Sequence, residues 1–218
     1  MFELYTEQAR YSLLLAQAGA RRSRHRQIDT AHLLFGVVRS EDGVSAAALR
    51  SAGIDSSDKV RDAIEAVHRP GKHDVVGGVP LTQEAQLSLV RTYRWSVELR
   101  NATFFPPDRS EGYVGVEHIF LGLLDKETDT SSRVLRALNQ DPQALRERLV
   151  KLMAEQELIA QDAVPRLAVM SEAILRGETK MKPPRAPRGK AAVTGGFWSR
   201  GGRSRADAGG SRDGGSAN

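Results

Sequence analysis

An internal repeat constrains this chain more than any other feature. In a first copy, Thr6-Glu7-Gln8-Ala9 opens an apolar-periodic stretch through Leu13, Leu14 and Ala16. In a second, Thr82-Gln83-Glu84-Ala85 opens one through Leu87, Leu89 and Val90. Further on come Thr30-Ala31-His32-Leu33-Leu34-Phe35-Gly36 and Val116-Glu117-His118-Ile119-Phe120-Leu121-Gly122, with Leu49 and Leu135 following in matching places. The spacing is helical, and each opening Thr is suited to cap a helix N-terminus by accepting a bond from a first-turn amide. Two copies of one helical unit, with no strand pattern of useful length, predict an all-α chain over residues 1–150.

The copies are not the same length. Thr6 and Thr82 are 76 residues apart, whereas His32 and His118, Gly36 and Gly122, and Leu49 and Leu135 are each 86 apart. Ten residues are therefore added between the first and second helices of the second copy. The expected place is a loop near residues 101–113, where Phe104-Phe105-Pro106-Pro107 stops any helix. Repeat one then runs over about 1–68, a Gly- and Pro-containing linker over 69–80, and repeat two over about 81–150. Asp141-Pro142 has the cap-then-proline order of a further helix start. Residues 151–176 keep enough apolar spacing for one or two extra helices, and 177–218 are expected to form a disordered Gly/Arg-rich tail.

Charge follows this division. The formal net charge is +5, but from Arg176 onward ten Lys and Arg stand against three Asp and Glu. The basicity thus belongs to the tail, and the repeats are slightly acidic. The absence of cysteine excludes disulfides and thiol chemistry from these 218 residues. No apolar run approaches a membrane span, and the N-terminal residues lack the layout of a secretory signal. The expectation is a soluble, cytoplasmic protein.

Both copies resemble the Clp N-terminal (Clp R) double repeat that fronts the Clp-type AAA+ unfoldases, the ClpC-like branch above all. The likeness rests on Phe2, Tyr5-Thr6, Ala9-Arg10, His25, Ile28, Thr30, His32-Leu33-Leu34, Gly36, Asp42-Gly43-Val44 and Gly53-Ile54 in the first copy. In the second it rests on Leu81-Thr82, Ala85, Glu117-His118-Ile119, Leu121-Gly122-Leu123-Leu124 and Arg133-Val134-Leu135. The resemblance implies a pseudo-twofold bundle of about eight helices. It also implies a stand-alone module: no Gly-x-x-x-x-Gly-Lys-Ser/Thr loop is present to cradle ATP phosphates.

In ClpC-like relatives each repeat can hold a phosphorylated arginine. A carboxylate pairs with the guanidinium, while hydroxyl and backbone N–H groups at a helix start take the phosphate. On that pattern Glu117 is the carboxylate of the second copy, with Thr82 on the phosphate side, whereas the first copy keeps Thr6 but carries Ala31 where the acid should be. Val116 replaces the family's Thr. Phe2 and Leu81 mark the surface that contacts adaptors in relatives, although Gln86 departs from its usual basic residue. A plainer reading stands beside each of these. Thr6, Thr30 and Thr82 also read as helix caps worth about 1 kcal/mol each, and Glu117 as a complement to a helix dipole. His32 and His118 read as buried repeat residues, since two histidines without a third ligand make no zinc site. No catalytic constellation and no cofactor is expected. The resulting expectation is a non-catalytic peptide- or protein-binding module linked to Clp proteolysis. It would recognise tagged substrates or adaptors, or act as a decoy of the unfoldase N-domain. The alternative is nucleic-acid or acidic-partner binding through the tail, where Trp198 offers a stacking surface.

Overall fold

A computed structural model describes residues 4–41, 43–100 and 114–156, together with the single positions Leu158, Val164 and Leu167. Phe2, Asp42, the inserted loop 101–113, most of the expected extension and the tail lie outside the described residues. Among the described residues eight helices follow one another: α1 (Glu7–Arg22), α2 (Thr30–Arg39), α3 (Gly43–Ser51), α4 (Ser57–Val67), α5 (Gln83–Arg100), α6 (Val116–Leu124), α7 (Thr130–Ala137) and α8 (Pro142–Glu155). The all-α reading and the two-copy order both hold among the described residues, α1–α4 answering to α5–α8.

Local chemistry sets the helix starts. The Thr6 hydroxyl accepts from the Ala9 N–H at 3.1 Å, and the Thr82 hydroxyl accepts from the Ala85 N–H at the same 3.1 Å. Asp141 caps α8 through the Ala144 N–H at 3.1 Å, with Pro142 in the first turn, where its missing N–H costs nothing. In α6 every residue from Val116 to Leu124 except Glu117 is buried, and in α2 all but Phe35 and Arg39 are. Helices apolar on nearly all sides belong in the middle of a bundle. α1 lies on α2, and α5 lies on α6.

Glycine permits that contact. A Cβ on Gly36 would stand 2.1 Å from the Ser12 carbonyl oxygen, and one on Gly122 would stand 2.8 Å from that of Ser88. Ser12 and Ser88 are themselves equivalent positions, so both repeats bring two helix backbones together at one shared spot. They fill the next layer differently. In repeat one, Phe35 lies against Gly19, where a Cβ would meet its ring at 2.8 Å. In repeat two the position equivalent to Gly19 is Trp95, fully buried, whose indole N–H donates to Asp125 Oδ2 at 2.7 Å.

The repeats are joined by exchanged segments. The Thr6 N–H donates to the Val114 carbonyl at 3.0 Å, and the Val114 N–H donates to that of Leu4 at 2.9 Å. In mirror fashion, the Ile28 N–H donates to the Pro80 carbonyl and the Thr82 N–H to that of Ile28, both at 2.8 Å. The result is two isolated parallel bridges, Tyr5 with Val114 and Ile28 with Leu81. The segment that opens each repeat is thus pinned beside the central helix of the other.

Candidate functional site

These bridges decide which of the sequence-selected residues meet. Thr6, at the start of α1, lies beside the strand-like entry to α6, bonded to Val114 three residues before Glu117. Thr82, at the start of α5, lies beside the entry to α2, where Ala31 stands. The sequence pairing of Thr82 with Glu117 within one copy is therefore not the pairing the backbone makes. Both hydroxyls are engaged as helix caps. A hydroxyl that accepts one bond still has its own proton to give.

At the entry to α6, Gly115 is the N-cap and Glu117 sits two residues into the helix. A Cβ on Gly115 would fall 2.1 Å from Glu117 Oε1, so the carboxylate occupies the space a capping side chain would fill. His118 Nδ1 is 3.0 Å from Glu117 Oε1 and accepts the Gly115 N–H at 3.0 Å. Burial alone would raise the Glu117 carboxyl's pKa, but the adjacent His118 imidazole, in its protonated form, outweighs it. The acid is held below its ordinary range. The side chain retains 18% exposure, enough for a ligand to reach it.

The entry to α2 holds the same chemistry two positions earlier. Asp29 is the N-cap, and its Oδ1 accepts the N–H groups of Ala31 at 3.0 Å and His32 at 3.1 Å. The Asp29 N–H donates to His32 Nδ1 at 3.1 Å, which closes a capping box with histidine at its third position. Asp29 Oδ1 lies 2.7 Å from that nitrogen, and Oδ2 lies 3.2 Å from His68 Nδ1. Burial raises the Asp29 pKa, but the hydrogen bonds and charge of His32, with help from His68, bring it down to about 2. Repeat one therefore has a carboxylate at this place despite Ala31. Sequence reasoning missed Asp29 because it searched only the position of the family acid, although an Asp three residues before a buried His was a readable signal. His32 and His118 are both buried and hydrogen-bonded, as expected of repeat residues.

The space beside Thr82 is also filled from within. Glu84, in the first turn of α5, accepts from the Thr30 hydroxyl and from the Thr130 N–H at 2.6 Å. The Ser131 N–H donates to the Thr30 hydroxyl at 3.0 Å. The starts of α2, α5 and α7 thus converge on one internal carboxylate, the charge that helix N-termini favour. The equivalent of Glu84 in repeat one is Gln8, and the equivalent of Thr30 in repeat two is Val116. Leu81 is partly buried, and its carbonyl accepts from the Gln86 side chain at 3.2 Å. Phe2, its expected partner in an adaptor surface, lies outside the described residues. No group of three or more His, Asp or Glu arranged to hold a metal occurs among the described residues. No helix among them is long and apolar enough to cross a membrane.

Comparison with known proteins places this arrangement. Residues 4–104 match the Clp repeat (R) N-terminal domain. Over 155 residues, 71% of the chain, the sequence is 31% identical to "Chaperone protein ClpC1, chloroplastic" of Oryza sativa subsp. japonica and equally to its namesake from Arabidopsis thaliana. The chain spans 16% of the length of each of these relatives. The N-terminal domain of the caseinolytic protease associated chaperone ClpD from Arabidopsis thaliana superposes with a TM-score of 0.52 at 20% identity, over 69% of this chain and 98% of that one. The Hsp104 N-terminal domain from Candida albicans does so with a TM-score of 0.51 at 14% identity, over 74% and 99%. The eight-helix bundle, its twofold plan and the sequence of its first hundred residues agree: this chain carries a Clp repeat N-terminal domain, related to those of the ClpC chaperones.

Proposed function

We propose that the chain is a non-catalytic recognition module of Clp-dependent proteolysis, and that it reads an arginine-bearing or phosphoarginine-bearing peptide at the entry to α6. The observation that carries this reading is the Glu117 carboxylate, held ionised beside His118 and partly exposed, with the Thr6 end of α1 pinned to Val114 at the same helix entry. A guanidinium pairs with such a carboxylate through charge-assisted hydrogen bonds, and the adjoining hydroxyl and helix-start amides suit a phosphate. The entry to α2 is the weaker candidate. Asp29 already caps its own helix, Ala31 offers no acceptor, and Glu84 fills the space where an anion would sit. Recognition is then one-sided, with Glu117 and Thr6 as its residues and Thr82 as a helix cap.

Within that role the module either delivers a tagged substrate or adaptor to an unfoldase or competes with the unfoldase's own N-domain. Addition to a Clp unfoldase–protease reaction separates the two: delivery speeds substrate turnover and sequestration slows it. Calorimetric titration with a phosphoarginine peptide and its unphosphorylated counterpart tests the site. Binding should be lost in Glu117→Ala, weakened in Thr6→Ala and kept in Thr82→Ala. Equal binding by wild type and Glu117→Ala would overturn the assignment. Binding that disappears on removal of residues 177–218, and that falls steeply with salt, would favour nucleic-acid or acidic-partner binding by the tail instead.

A further inference from the structure

Repeat one contains a histidine cluster with no counterpart among the described residues of repeat two. His25 follows α1, His32 is in the first turn of α2, and His68 caps the end of α4. Asp29 lies among them. The His25 and His68 rings stack at 4.1 Å with an interplanar angle of 17°, and His25 meets His32 edge-on at 5.0 Å. His25 Nδ1 is 2.8 Å from His32 Nε2, and His25 Nε2 is 3.0 Å from the Arg69 carbonyl oxygen. At the equivalent place in repeat two only His118 and Glu117 correspond, and the residues aligned with the end of α4 are Met153 and Ala154.

The partners dictate where each proton sits. A carbonyl oxygen can only accept, so His25 Nε2 carries a hydrogen and donates it to Arg69. A neutral His25 then accepts at Nδ1, so His32 Nε2 is the donor of that pair. His32 in turn accepts the Asp29 N–H at Nδ1, and His68 Nδ1 donates to Asp29 Oδ2. With every ring neutral, each of these contacts is a hydrogen bond. An added proton is accommodated at His32 Nδ1, which faces Asp29 Oδ1 at 2.7 Å, and at Nε2 of the half-exposed His68, whose Nδ1 keeps its bond to Asp29. A proton on His25 Nδ1 instead sets two N–H donors against each other across 2.8 Å.

The surroundings offer little to offset that charge. Arg24 is paired with Asp74 at 2.9 Å, and Arg21 donates to the Gly77 carbonyl. On α4, Arg61 is paired with Asp58 and Asp62, and Glu65 lies one turn before His68. Lys72 and His73 follow in the linker, and on the far side of α2 Glu84 is bound to Thr30 and Thr130. Asp29 is thus the carboxylate that serves the cluster, in contact with His32 and His68 but not with His25. Burial lowers the His25 pKa; the charges of His32 and His68 lower it too, while the Arg69 carbonyl and Asp29 act in the other direction. The ring is held neutral to lower pH than an exposed histidine. The cluster is reachable from solvent, because His68 is 52% exposed.

The linker is tied down at this cluster. Besides Arg69, the Gly71 N–H donates to the Ser23 carbonyl at 2.9 Å, so close that a Cβ on Gly71 would strike the Arg24 carbonyl. We propose that His25, His32 and His68 around Asp29 form an acid-sensitive clasp, which holds the start of the inter-repeat linker on repeat one while His25 is neutral and releases it when His25 takes up a proton at Nδ1. Release frees residues 69–72 and the end of α4, and leaves the Ile28–Leu81 bridge and repeat two in place.

The test follows the Gly71 amide by NMR hydrogen exchange on the full chain, with rates corrected to protection factors, alongside the imidazole resonances from pH 7.5 to 5. Gly71 protection should fall about tenfold or more over this range while the Thr82 and Val114 amides keep theirs. The substitution His25→Gln keeps an acceptor and a donor in similar places but does not titrate, so in it Gly71 protection should stay flat with pH. Unchanged protection in wild type, or an equal loss in His25→Gln, would overturn the clasp. Should that variant not fold, the wild-type titration decides: the Gly71 shift must share the His25 midpoint, and separate midpoints refute the proposal.

Discussion

The entries to α2 and α6 are the same structure built with the acid in two different places. In repeat one it is Asp29 at the N-cap, followed by Ala31; in repeat two it is Glu117 two residues inside, preceded by Gly115. Both carboxylates reach the buried histidine at the third helical position. The N-cap acid is consumed by its own helix, which it closes by two backbone bonds. The acid two positions further in rests over a glycine and keeps an exposed edge. A shift of two positions thus separates a carboxylate that holds a helix from one that can hold a ligand.

Several substitutions break or sharpen that comparison. The largest effect is expected from Trp95→Ala, which empties a site that repeat one fills with Phe35 against Gly19. It should cost about 3–5 kcal/mol in urea unfolding. Asp29→Ala comes next, at about 2 kcal/mol, since it removes a cap and leaves two buried helix amides without their acceptor. Glu117→Ala should change stability by less than about 1 kcal/mol while abolishing ligand binding. If the two substitutions instead cost the same, the distinction between the entries fails.

Acidity distinguishes the repeats as well. Burial pushes Asp125 up to about 6, against the lowering by Trp95 and three arginines, whereas Asp29 lies at about 2. A carboxyl raised in the folded state binds its proton more tightly there than when unfolded. Its contribution therefore grows as pH falls through 6 and is complete below the ordinary value of 3.8. The lowered Asp29 contributes above 3.8, and that contribution fades as pH falls toward 2. Urea midpoints at pH 7, 5 and 3 should show Asp125→Asn losing the gain between pH 7 and 5 while keeping the loss near pH 3.

Much of this was legible in the residues, and the parts that were not share a cause. The repeat offset of 76 gave the paired caps Thr6 and Thr82, and the apolar runs after His32 and His118 gave the two central helices, because both are local and periodic signals. The crossing of the repeats was hidden, since a bridge one residue long has no period to detect. Glu84 reaches partners 46 and 54 residues away, and Trp95 reaches Asp125 across 30. Such pairings are set by packing rather than by neighbours in the chain. Asp29 is hidden for a different reason: it stands two positions before the family acid's place, where the geometry needs only an acid near the helix entry.

The exchanged segments also set a schedule for the chain as it leaves a ribosome. Tyr5 finds its bridge partner only when Val114 has been made, 109 residues later. At about 5–20 residues per second, that is a wait of roughly 5–20 s. During this time the opening of α1 has no edge to lie against and is open to any chaperone or protease at the exit. The linker end fares better, because Ile28 already stands ready when Leu81 emerges. Synthesis therefore closes the domain in a fixed order, and the Tyr5 end of α1 is secured only after the second repeat has begun to form.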